Sequence, residues 1–295
     1  MNIVTSRTFK SPTFPIGWDL GFFGPAVDAR GQSSTQCLKA IANEAVFLEY
    51  NASSLLLRAD ESDLQVDELS GFIGQRKAQR LILDATTLGF AEILLLVRAA
   101  RDSGVTLVGF IYSEPGLYDG AERQFGLSDA VVGYKAIPGY AVILDEDEDQ
   151  QGVFFLGYEG ERLDQAFEDL KLNPGKCSVV FGVPAYRPGW EMNAFANNAR
   201  VMRERNIGGG VDFCAATSPG AAIQVLSNRL QTCGTEAQLQ VAPIGTKPHA
   251  IGVAVFADLH RDIGIFYDHP TRRDGRSREV FRWHYYEYRL GSNIA

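Results

Sequence analysis

The chain has 295 residues, of which 45% are hydrophobic and 22% are charged. This composition excludes a wholly disordered protein, because it provides enough apolar side chains for one large core or two smaller ones. The formal net charge of −8 and the pI of about 5.1 exclude bulk binding to duplex DNA or to an anionic membrane, so an anionic partner would have to bind a local basic site.

Cysteine usage and the amino-terminal sequence both indicate a cytoplasmic protein. Cys37, Cys177, Cys214 and Cys233 lack metal-ligand spacing, which favours reduced, packed thiols. The opening sequence MNIVTSRTFKSPTFPIGW has no continuous apolar segment of the signal-peptide type. The most apolar runs are also much shorter than the roughly 20 residues that span a bilayer. We therefore expect a soluble protein without a membrane partner.

Apolar, β-rich runs alternate with helical patterns along the chain, which is typical of an α/β protein with largely parallel sheets. The predicted strands are Val46–Tyr50, Leu55–Arg58, Arg80–Asp84, Thr106–Tyr112, Gly152–Gly157, Cys177–Val183, Val211–Ala215, Gln238–Pro243, Gly264–Asp268 and Val280–Tyr288. The predicted helices are Ser34–Ala42, Asp67–Gln75, Phe90–Ser103, Arg162–Leu170, Glu191–Arg205, Gly220–Thr232 and Ala250–Asp262. The last helix is apolar nearly all round, so we expect it to lie deep against a sheet.

An acidic run divides the predicted elements into two groups. Residues 145–149 read DEDED, and this pattern favours a solvated linker over the alternative, a metal site. The chain is thus divided into a first Rossmann-like half at residues 1–144, an acidic linker at 145–151 and a second Rossmann-like half at 152–295. The second half ends in a basic, aromatic strand.

The two halves contain a similar segment, which predicts a pseudo-twofold internal duplication. LILDATTLGFAEILLLVRAA leads into RDSG and GFIYSEP, whereas LQVAPIGTKPHAIGVAVFADLH leads into RDIG and IFYDHP. The paired residues are Thr86 with Thr246, Arg101 with Arg261, Gly104 with Gly264, Tyr112 with Tyr267, and Pro115 with Pro270. Rossmann-type units also share such features for structural reasons, so the alternative is one continuous doubly wound sheet.

The loop Pro243–His249 (PIGTKPH) is the best candidate for an anion site. Gly245 permits a tight turn, Thr246 offers a hydroxyl, and Lys247 a positive charge at the start of a helix, where Pro248 is tolerated. The loop lacks the longer glycine-rich pattern of a P-loop, so no ATPase is predicted. His249 is the histidine that we would test as an acid or base. The alternative is a turn whose lysine only faces solvent.

The corresponding loop of the first copy has no lysine. Thr86 and Thr87 could donate hydrogen bonds to a ligand, while Asp84 could act as a base or accept from a ribose hydroxyl. The simpler role for Asp84 is to cap the turn before the next helix.

Two arginines and an aromatic loop complete the candidate ligand-binding residues. Arg30 and Arg162 occupy matching positions before the first helix of each copy, where they would bind phosphate or form an internal salt bridge. In the loop Gly182–Trp190, Tyr186 and Trp190 would stack a base while Arg187 holds a phosphate. Trp190 alternatively anchors the following helix in the core.

The carboxyl-terminal segment is the basic stretch with interleaved aromatics, FRWHYYEY. Arg272, Arg273, Arg276 and Arg278 would provide a local contact to nucleic acid or to an acidic protein. The alternative, which the pattern favours slightly, is an edge strand or hairpin whose charges prevent aggregation. No metal or cofactor is predicted, because the histidines and cysteines lack the spacing of zinc ligands.

At Gly245-Thr246-Lys247 the sequence resembles the CRISPR-associated Rossmann-fold (CARF) sensor domains and the related SAVED domains. The resemblance implies that Thr246 and Lys247 bind the phosphates of a nucleotide ligand. SAVED domains look like two fused CARF units, which is similar to the predicted duplication. No effector domain is attached, so the resemblance implies a separate effector protein or a homo-oligomer.

The leading hypothesis is a ligand-sensing or scaffold protein that binds a nucleotide or other phosphorylated small molecule within a prokaryotic antiviral defence system. One alternative is a nucleotide or phosphodiester hydrolase that uses Asp84 or His249. The other is a structural subunit of a multi-protein complex.

Overall fold

The computed structural model describes residues 3–118, 127–141, 149–233 and 237–291. The chain forms two compact units. Unit 1 comprises Met1–Asp119 and Asp274–Ala295, and unit 2 comprises Gly120–Arg273. Among the described residues, no helix combines the length and apolarity needed to cross a membrane.

Unit 1 is built on one mixed sheet flanked by three described helices. Its elements are β1 (Val4–Phe9), β2 (Trp18–Phe23), α1 (Ala29–Ile41), β3 (Ala42–Asn51), β4 (Leu56–Ala59), β5 (Ser62–Gln65), α2 (Glu68–Gln75), β6 (Arg80–Asp84), α3 (Phe90–Asp102), β7 (Leu107–Tyr118) and, from the end of the chain, β16 (Ser277–Arg289). The strand order is β1-β16-β7-β6-β2-β3-β4-β5. Strands β3, β2, β6 and β7 are parallel, and the flanking strands are antiparallel.

Unit 2 has the strand order of a Rossmann fold without its sixth parallel strand. Its elements are β8 (Ser128–Val131), β9 (Lys135–Ala136), β10 (Asp149–Leu156), α4 (Gly160–Leu170), β11 (Cys177–Gly182), α5 (Trp190–Glu204), β12 (Val211–Cys214), α6 (Pro219–Cys233), β13 (Ala237–Pro243), α7 (Lys247–Leu259), β14 (Gly264–Tyr267) and β15 (Pro270–Arg272). The main sheet runs β12-β11-β10-β13-β14-β9, and all its strands except β9 are parallel. The order reverses between β10 and β13, which therefore form the topological switch point.

Each unit buries its own apolar core. In unit 2, Phe154, Phe181 and Leu163 belong to one cluster between the sheet and the helices α4 and α5. In unit 1, Trp18, Leu38 and Tyr285 belong to a cluster on the α1 side of the sheet. These observations confirm an α/β protein with two Rossmann-like units. The sheet of unit 2 is largely parallel, whereas that of unit 1 has a parallel core of four strands with antiparallel strands on both sides.

The predicted helices all correspond to observed helices, with ends shifted by a few residues. The predicted deep burial of the last helix is confirmed, because all residues from Ala250 to Asp258 in α7 are buried.

Strand β2 was not predicted, since WDLGFF contains an acidic residue and a glycine. Asp19 accepts hydrogen bonds from the backbone of Gln79 and Arg80 at the start of β6. At Gly21, a Cβ would lie 2.7 Å from Leu38.

The expected position of the carboxyl-terminal strand is wrong. Strand β16 pairs with β1 on one side and with β7 on the other, so it is an interior strand rather than an edge strand. It also belongs to unit 1, not to the second half at 152–295. The physical reason is burial: Trp283, Tyr285 and Tyr286 are each at most 5% exposed, and an edge strand could not cover so much aromatic surface.

The predicted acidic linker does not separate the units. Residues 145–148 lie outside the described residues, while Asp149 begins β10 and the whole run falls within unit 2. The chain passes from unit 1 to unit 2 at Asp119 and returns at Asp274. The early boundary was missed because β8 and β9, which join unit 2, are too short for a recognisable alternating pattern.

The segments that predicted a duplication occupy comparable places in the two units. Thr86 follows β6 and precedes α3, and Thr246 follows β13 and precedes α7. Outside these βαβ segments the strand orders differ, with two antiparallel strands added to each side of the parallel core in unit 1. The duplication therefore stays a prediction.

The interior position of β16 predicts its contribution to stability. Replacing the fully buried Tyr286 by alanine (Tyr286→Ala) should lower the free energy of unfolding by about 3 to 5 kcal/mol, because it leaves a cavity in unit 1. Phe281→Ala on the same strand is the matched control, since Phe281 is 46% exposed. It should cost less than about 1 kcal/mol. Urea unfolding monitored by circular dichroism measures both, and equal losses would contradict the interior placement.

Candidate functional site

The carboxyl edge of unit 2, meaning the loops that follow β10, β11 and β13, is the candidate ligand site. Ligands of open α/β sheets bind at this edge, at the switch point. Gly157 and Gly245 meet there. A Cβ on Gly245 would lie 2.8 Å from the Leu156 carbonyl oxygen, and one on Gly157 would lie 3.0 Å from that of Ile244. Glycine is therefore required at both positions for the two loops to pass each other.

Helix α7 begins at this edge as the sequence predicts. Thr246 is its N-cap and accepts a hydrogen bond from the His249 backbone N–H at 3.4 Å. The same hydroxyl donates to the Ala216 carbonyl at 2.8 Å, so it joins the loops after β12 and β13. Lys247 is the first helical residue and is half-buried. Its ammonium group thus adds to the positive end of the helix dipole.

His249 lies beneath this loop and is completely buried. Its Nε2 is 3.1 Å from the Ala215 carbonyl oxygen and 3.3 Å from Cys214 Sγ. Burial lowers the pKa of His249 to about 4 and raises that of the Cys214 thiol to about 12. At neutral pH both groups are uncharged and closed to solvent. The geometry therefore argues against the acid or base role that the sequence suggested for His249.

The β11–α5 loop brings a cation and two aromatic rings to the same edge. Arg187 is half-buried, with its guanidinium carbon 5.7 Å from the centre of the Trp190 ring. Trp190 begins α5, and its ring meets Tyr158 edge-on at 6.4 Å. Tyr186 is only 5% exposed and is part of the buried core, so it does not offer the stacking surface that the sequence predicted. Sequence reasoning missed Tyr158, although it directly follows Gly157 at the end of β10.

Arg162 forms a buried ion pair instead of facing a ligand. Its Nε and Nη2 donate to the two carboxylate oxygens of Asp268 at 2.5 and 2.6 Å, and its Nη1 donates to the Ile244 carbonyl at 3.1 Å. Although burial disfavours its charge, the Asp268 carboxylate raises the pKa of Arg162. All three nitrogens of the guanidinium are thus used within unit 2, which favours the internal salt-bridge interpretation.

Arg30 has the corresponding role in unit 1. It is 5% exposed, donates to the Ser113 carbonyl and to Ser277 Oγ, and lies 3.9 Å from the Asp28 carboxylate. Ser277 in turn donates to Asp28. This cluster fastens the start of β16 to α1 and β7, so Arg30 also acts inside the protein.

Asp84 lies at the carboxyl end of β6 and is completely buried among hydroxyl groups. It accepts hydrogen bonds from Ser34 at 2.6 Å, from the Thr87 hydroxyl at 2.8 Å and from the Thr86 backbone N–H at 3.0 Å. Burial raises the pKa of Asp84, and these hydrogen bonds partly offset the effect. The threonine hydroxyls also accept from the backbone of Gly24 and Ser113. This arrangement supports the simpler role of Asp84, which is to cap the turn before α3. Thr86 and Thr87 belong to the same buried hydrogen-bond network instead of facing a ligand.

The predicted basic patch is divided between the units. Arg272 ends β15 in unit 2, whereas Arg276 and Arg278 belong to unit 1. Arg273 pairs with Asp129 at 2.8 Å on the surface of unit 2.

A further feature of unit 2 lies at the amino edge of its sheet, opposite the candidate ligand site, where Lys176, Ser178 and Arg229 line a cavity of about 260 Å³. Within the described ranges, no three His, Cys, Asp or Glu side chains form a group that could hold a metal ion.

Comparisons with known proteins do not identify a family. No family model matches the chain, and no curated protein matches it. Among solved structures, the chain is weakly similar to A-type ketoreductases from a modular polyketide synthase, with 12% identity, 88% of this chain and 79% of the other covered, and a TM-score of 0.25. A ketoreductase domain from the bacillaene assembly line (11% identity, 89% and 71% covered, TM-score 0.26) and an A1-type ketoreductase (12%, 88% and 79%, TM-score 0.22) are similar at the same level. Such low scores carry no argument about function.

The buried ion pair predicts a large effect of removing one partner. Arg162→Met leaves the Asp268 carboxylate buried without its counter-charge, so we expect a loss of about 3 to 5 kcal/mol of stability. Adding Asp268→Leu to this variant should recover most of the loss. Arg200→Met is the control, since Arg200 is 58% exposed in its pair with Glu204, and should cost less than about 1 kcal/mol. Denaturant unfolding measures these changes; equal costs for the two single variants would contradict the assignment.

The buried imidazole predicts a pH dependence. The folded-state pKa of His249, about 4, lies below its ordinary value of 6.5, so the unfolded chain binds more protons between these values. The free energy of unfolding should therefore decrease by about 3 kcal/mol as the pH falls from 6.5 to 4 through this residue. His249→Gln should remove that part of the slope, measured by urea unfolding across this range. If the free energy of unfolding of His249→Gln has the same pH slope as that of the wild type, His249 is accessible and charged in the folded state.

Proposed function

We propose that this protein is a sensor that binds, and does not hydrolyse, a nucleotide or another phosphorylated small molecule at the carboxyl edge of unit 2. The observation that carries the proposal is the position of Lys247, half-buried at the first residue of α7 and beside the switch point. A lysine at a helix start combines a full positive charge with the helix dipole, and this combination attracts a phosphate.

The other groups at this edge suit the remaining parts of a nucleotide. Arg187 is a second cation, and guanidinium groups bind phosphate oxygens in a bidentate geometry. The Tyr158 and Trp190 rings offer apolar surface on which a base can stack. The close passage of the loops at Gly157 and Gly245 leaves backbone rather than side chains at the centre of the edge.

A binding role fits better than hydrolysis. Asp84 and His249, the side chains that a hydrolase would use as acid or base, are each 0% exposed. His249 cannot reach a ligand at the carboxyl edge of unit 2 without rearrangement of the core, and Asp84 is enclosed in the core of unit 1. The ligand should therefore be recovered intact after prolonged incubation.

The resemblance of Gly245-Thr246-Lys247 to CARF and SAVED domains adds a biological role to the proposal. It implies a role in prokaryotic antiviral defence, in the cytoplasm, with the signal passed to a separate effector protein or to another copy of the chain. Thr246 serves this proposal by capping α7 and by binding the Ala216 carbonyl through its hydroxyl, which holds the start of the helix in place.

Ligand-induced stabilisation tests the proposal. A panel of linear and cyclic nucleotides should contain a member that raises the melting temperature by about 5 °C or more when present at about 100 times its Kd. Lys247→Ala should abolish the shift. Lys176→Ala is the matched control, because it removes the same charge from the opposite edge of the same sheet, and it should retain the shift. Differential scanning fluorimetry measures the melting temperatures.

Two outcomes would contradict the proposal. One is the absence of any shift across the panel, and the other is an equal shift in wild type and Lys247→Ala. Chromatography of the stabilising nucleotide after overnight incubation provides the second measurement. If the nucleotide is converted to product, the protein is a hydrolase and not a sensor.

A further inference from the structure

A row of three hydrogen-bonded side chains crosses strands β1, β16 and β7 of unit 1. Thr8 and His284 are direct cross-strand partners, and Thr8 Oγ1 lies 3.2 Å from His284 Nδ1. On the other side, His284 Nε2 lies 2.6 Å from Glu114 Oε2. Thr8, His284 and Glu114 thus connect a hydroxyl to an imidazole and the imidazole to a carboxylate, in the order used by hydroxyl nucleophiles in covalent catalysis.

A nucleophile at Thr8 needs Glu114 as a carboxylate and His284 as a neutral imidazole, and these two states determine the direction of the hydrogen bonds in the row. A carboxylate only accepts hydrogen bonds, so His284 Nε2 carries the hydrogen that Glu114 accepts. In the neutral imidazole, Nδ1 is then the acceptor, and the Thr8 hydroxyl donates to it. His284 Nδ1 is therefore placed to take the proton of Thr8 when the hydroxyl oxygen attacks an electrophile.

The surroundings hold this arrangement in place. Glu114 is 0% exposed and His284 is 3% exposed. The imidazole ring is stacked between Tyr112 and Tyr286, with centroid distances of 6.1 and 6.0 Å and interplanar angles of 28° and 1°. The base and its orienting carboxylate are thus pre-positioned, and the energetic cost of ordering them is met on folding.

The hydroxyl, in contrast, is open to reagents. Thr8 is exposed and belongs to β1, which is the edge strand of its sheet. Arg282 lies on β16 two residues before His284, so it shares the same face of the strand; it is 40% exposed, with its Nε 3.5 Å from Glu114 Oε1. Arg282 thus lies at the carboxylate end of the row, beside Glu114.

We propose that Thr8 is an activated nucleophile that accepts acyl groups from small carboxylic esters, with His284 as its base and Glu114 as a positioning residue. The Thr8 oxygen bonds to the ester carbonyl carbon as its proton moves to His284 Nδ1, and the same proton then leaves with the departing alcohol. Water hydrolyses the acyl-threonine: its oxygen bonds to the carbonyl carbon while the bond between that carbon and the Thr8 oxygen breaks. One water proton passes through His284 to the Thr8 oxygen, and the carboxylic acid leaves. This site is separate from the carboxyl edge of unit 2 and does not depend on the proposed ligand.

A fluorophosphonate probe tests the nucleophile directly. Attack by Thr8 forms an oxygen–phosphorus bond, releases fluoride and passes the hydroxyl proton to His284, which leaves a stable adduct. Intact-mass measurement and peptide mapping of the full-length protein should locate one adduct on Thr8. Thr8→Val should reduce labelling at least tenfold, and Thr8→Ser should retain it. Because Thr8 is exposed and valine suits a strand, the fold should tolerate both changes.

Ser6 provides the matched control. It lies two residues earlier on the same face of β1 and is exposed, but its cross-strand partner is Tyr286, which has no basic nitrogen. Ser6→Ala should therefore label like wild type. Absence of the Thr8 adduct, or equal labelling of Ser6 and Thr8, would overturn the proposal and leave the row as a link between strands.

The role of Glu114 has its own measurement. Glu114→Gln keeps an acceptor but removes the negative charge that stabilises a protonated imidazole, so the labelling rate should fall at least tenfold. Glu114→Asp should restore part of the rate. A Glu114→Gln variant that stays folded by circular dichroism and labels at the wild-type rate would show that Glu114 only packs the core.

Discussion

The buried ion pair between Arg162 and Asp268 is the interaction on which the carboxyl edge of unit 2 depends. Arg162 starts from the first turn of α4, donates to the carbonyl of Ile244 after β13, and ends on Asp268 after β14. One side chain thereby connects the loops that follow three strands of the sheet. Because a buried charge without its partner is strongly unfavourable, these loops have little freedom to move apart.

The fixed loops define what the edge can do. Gly157 and Gly245 are in close contact, and Thr246 is bonded to Ala216. The half-buried side chains at the edge include Tyr158, Lys247, Arg187 and Trp190. Gly157, Gly245 and Thr246 thus build the edge, whereas Lys247, Arg187 and Trp190 lie at its surface. It also explains why Arg162, although cationic and in the right loop, contributes to the site only through its shape.

Sequence patterns predicted the fold class, the helices and the start of α7, because these depend on local periodicity and on capping chemistry. They did not predict which polar residues would be buried. Asp84, Arg30 and Arg162 precede or begin helices, as ligand-binding residues do, but their partners Ser34, Ser277 and Asp268 are distant in sequence. The place of β16 was missed for the same reason, since pairing with β1 and β7 depends on contacts across most of the chain.

Unit 1 shows a related use of buried polar groups. Arg30, in the first turn of α1, bonds to Ser113, which follows Tyr112, whereas Arg162 bonds to Asp268, which follows Tyr267. The two arginines thus span comparable positions, although no comparison with known proteins establishes a common origin for the units. In the same sheet the row of Thr8, His284 and Glu114 places a second, chemically different centre on unit 1.

Hydrogen–deuterium exchange with and without a stabilising nucleotide tests the central claim most directly. If the phosphorylated ligand binds at the carboxyl edge of unit 2, backbone amides in residues 156–162, 183–192 and 244–250 should exchange more slowly, and this protection should disappear in Lys247→Ala. Protection at the amino edge of the same sheet, around residues 175–178 and 209, or no protection in unit 2, would contradict the account.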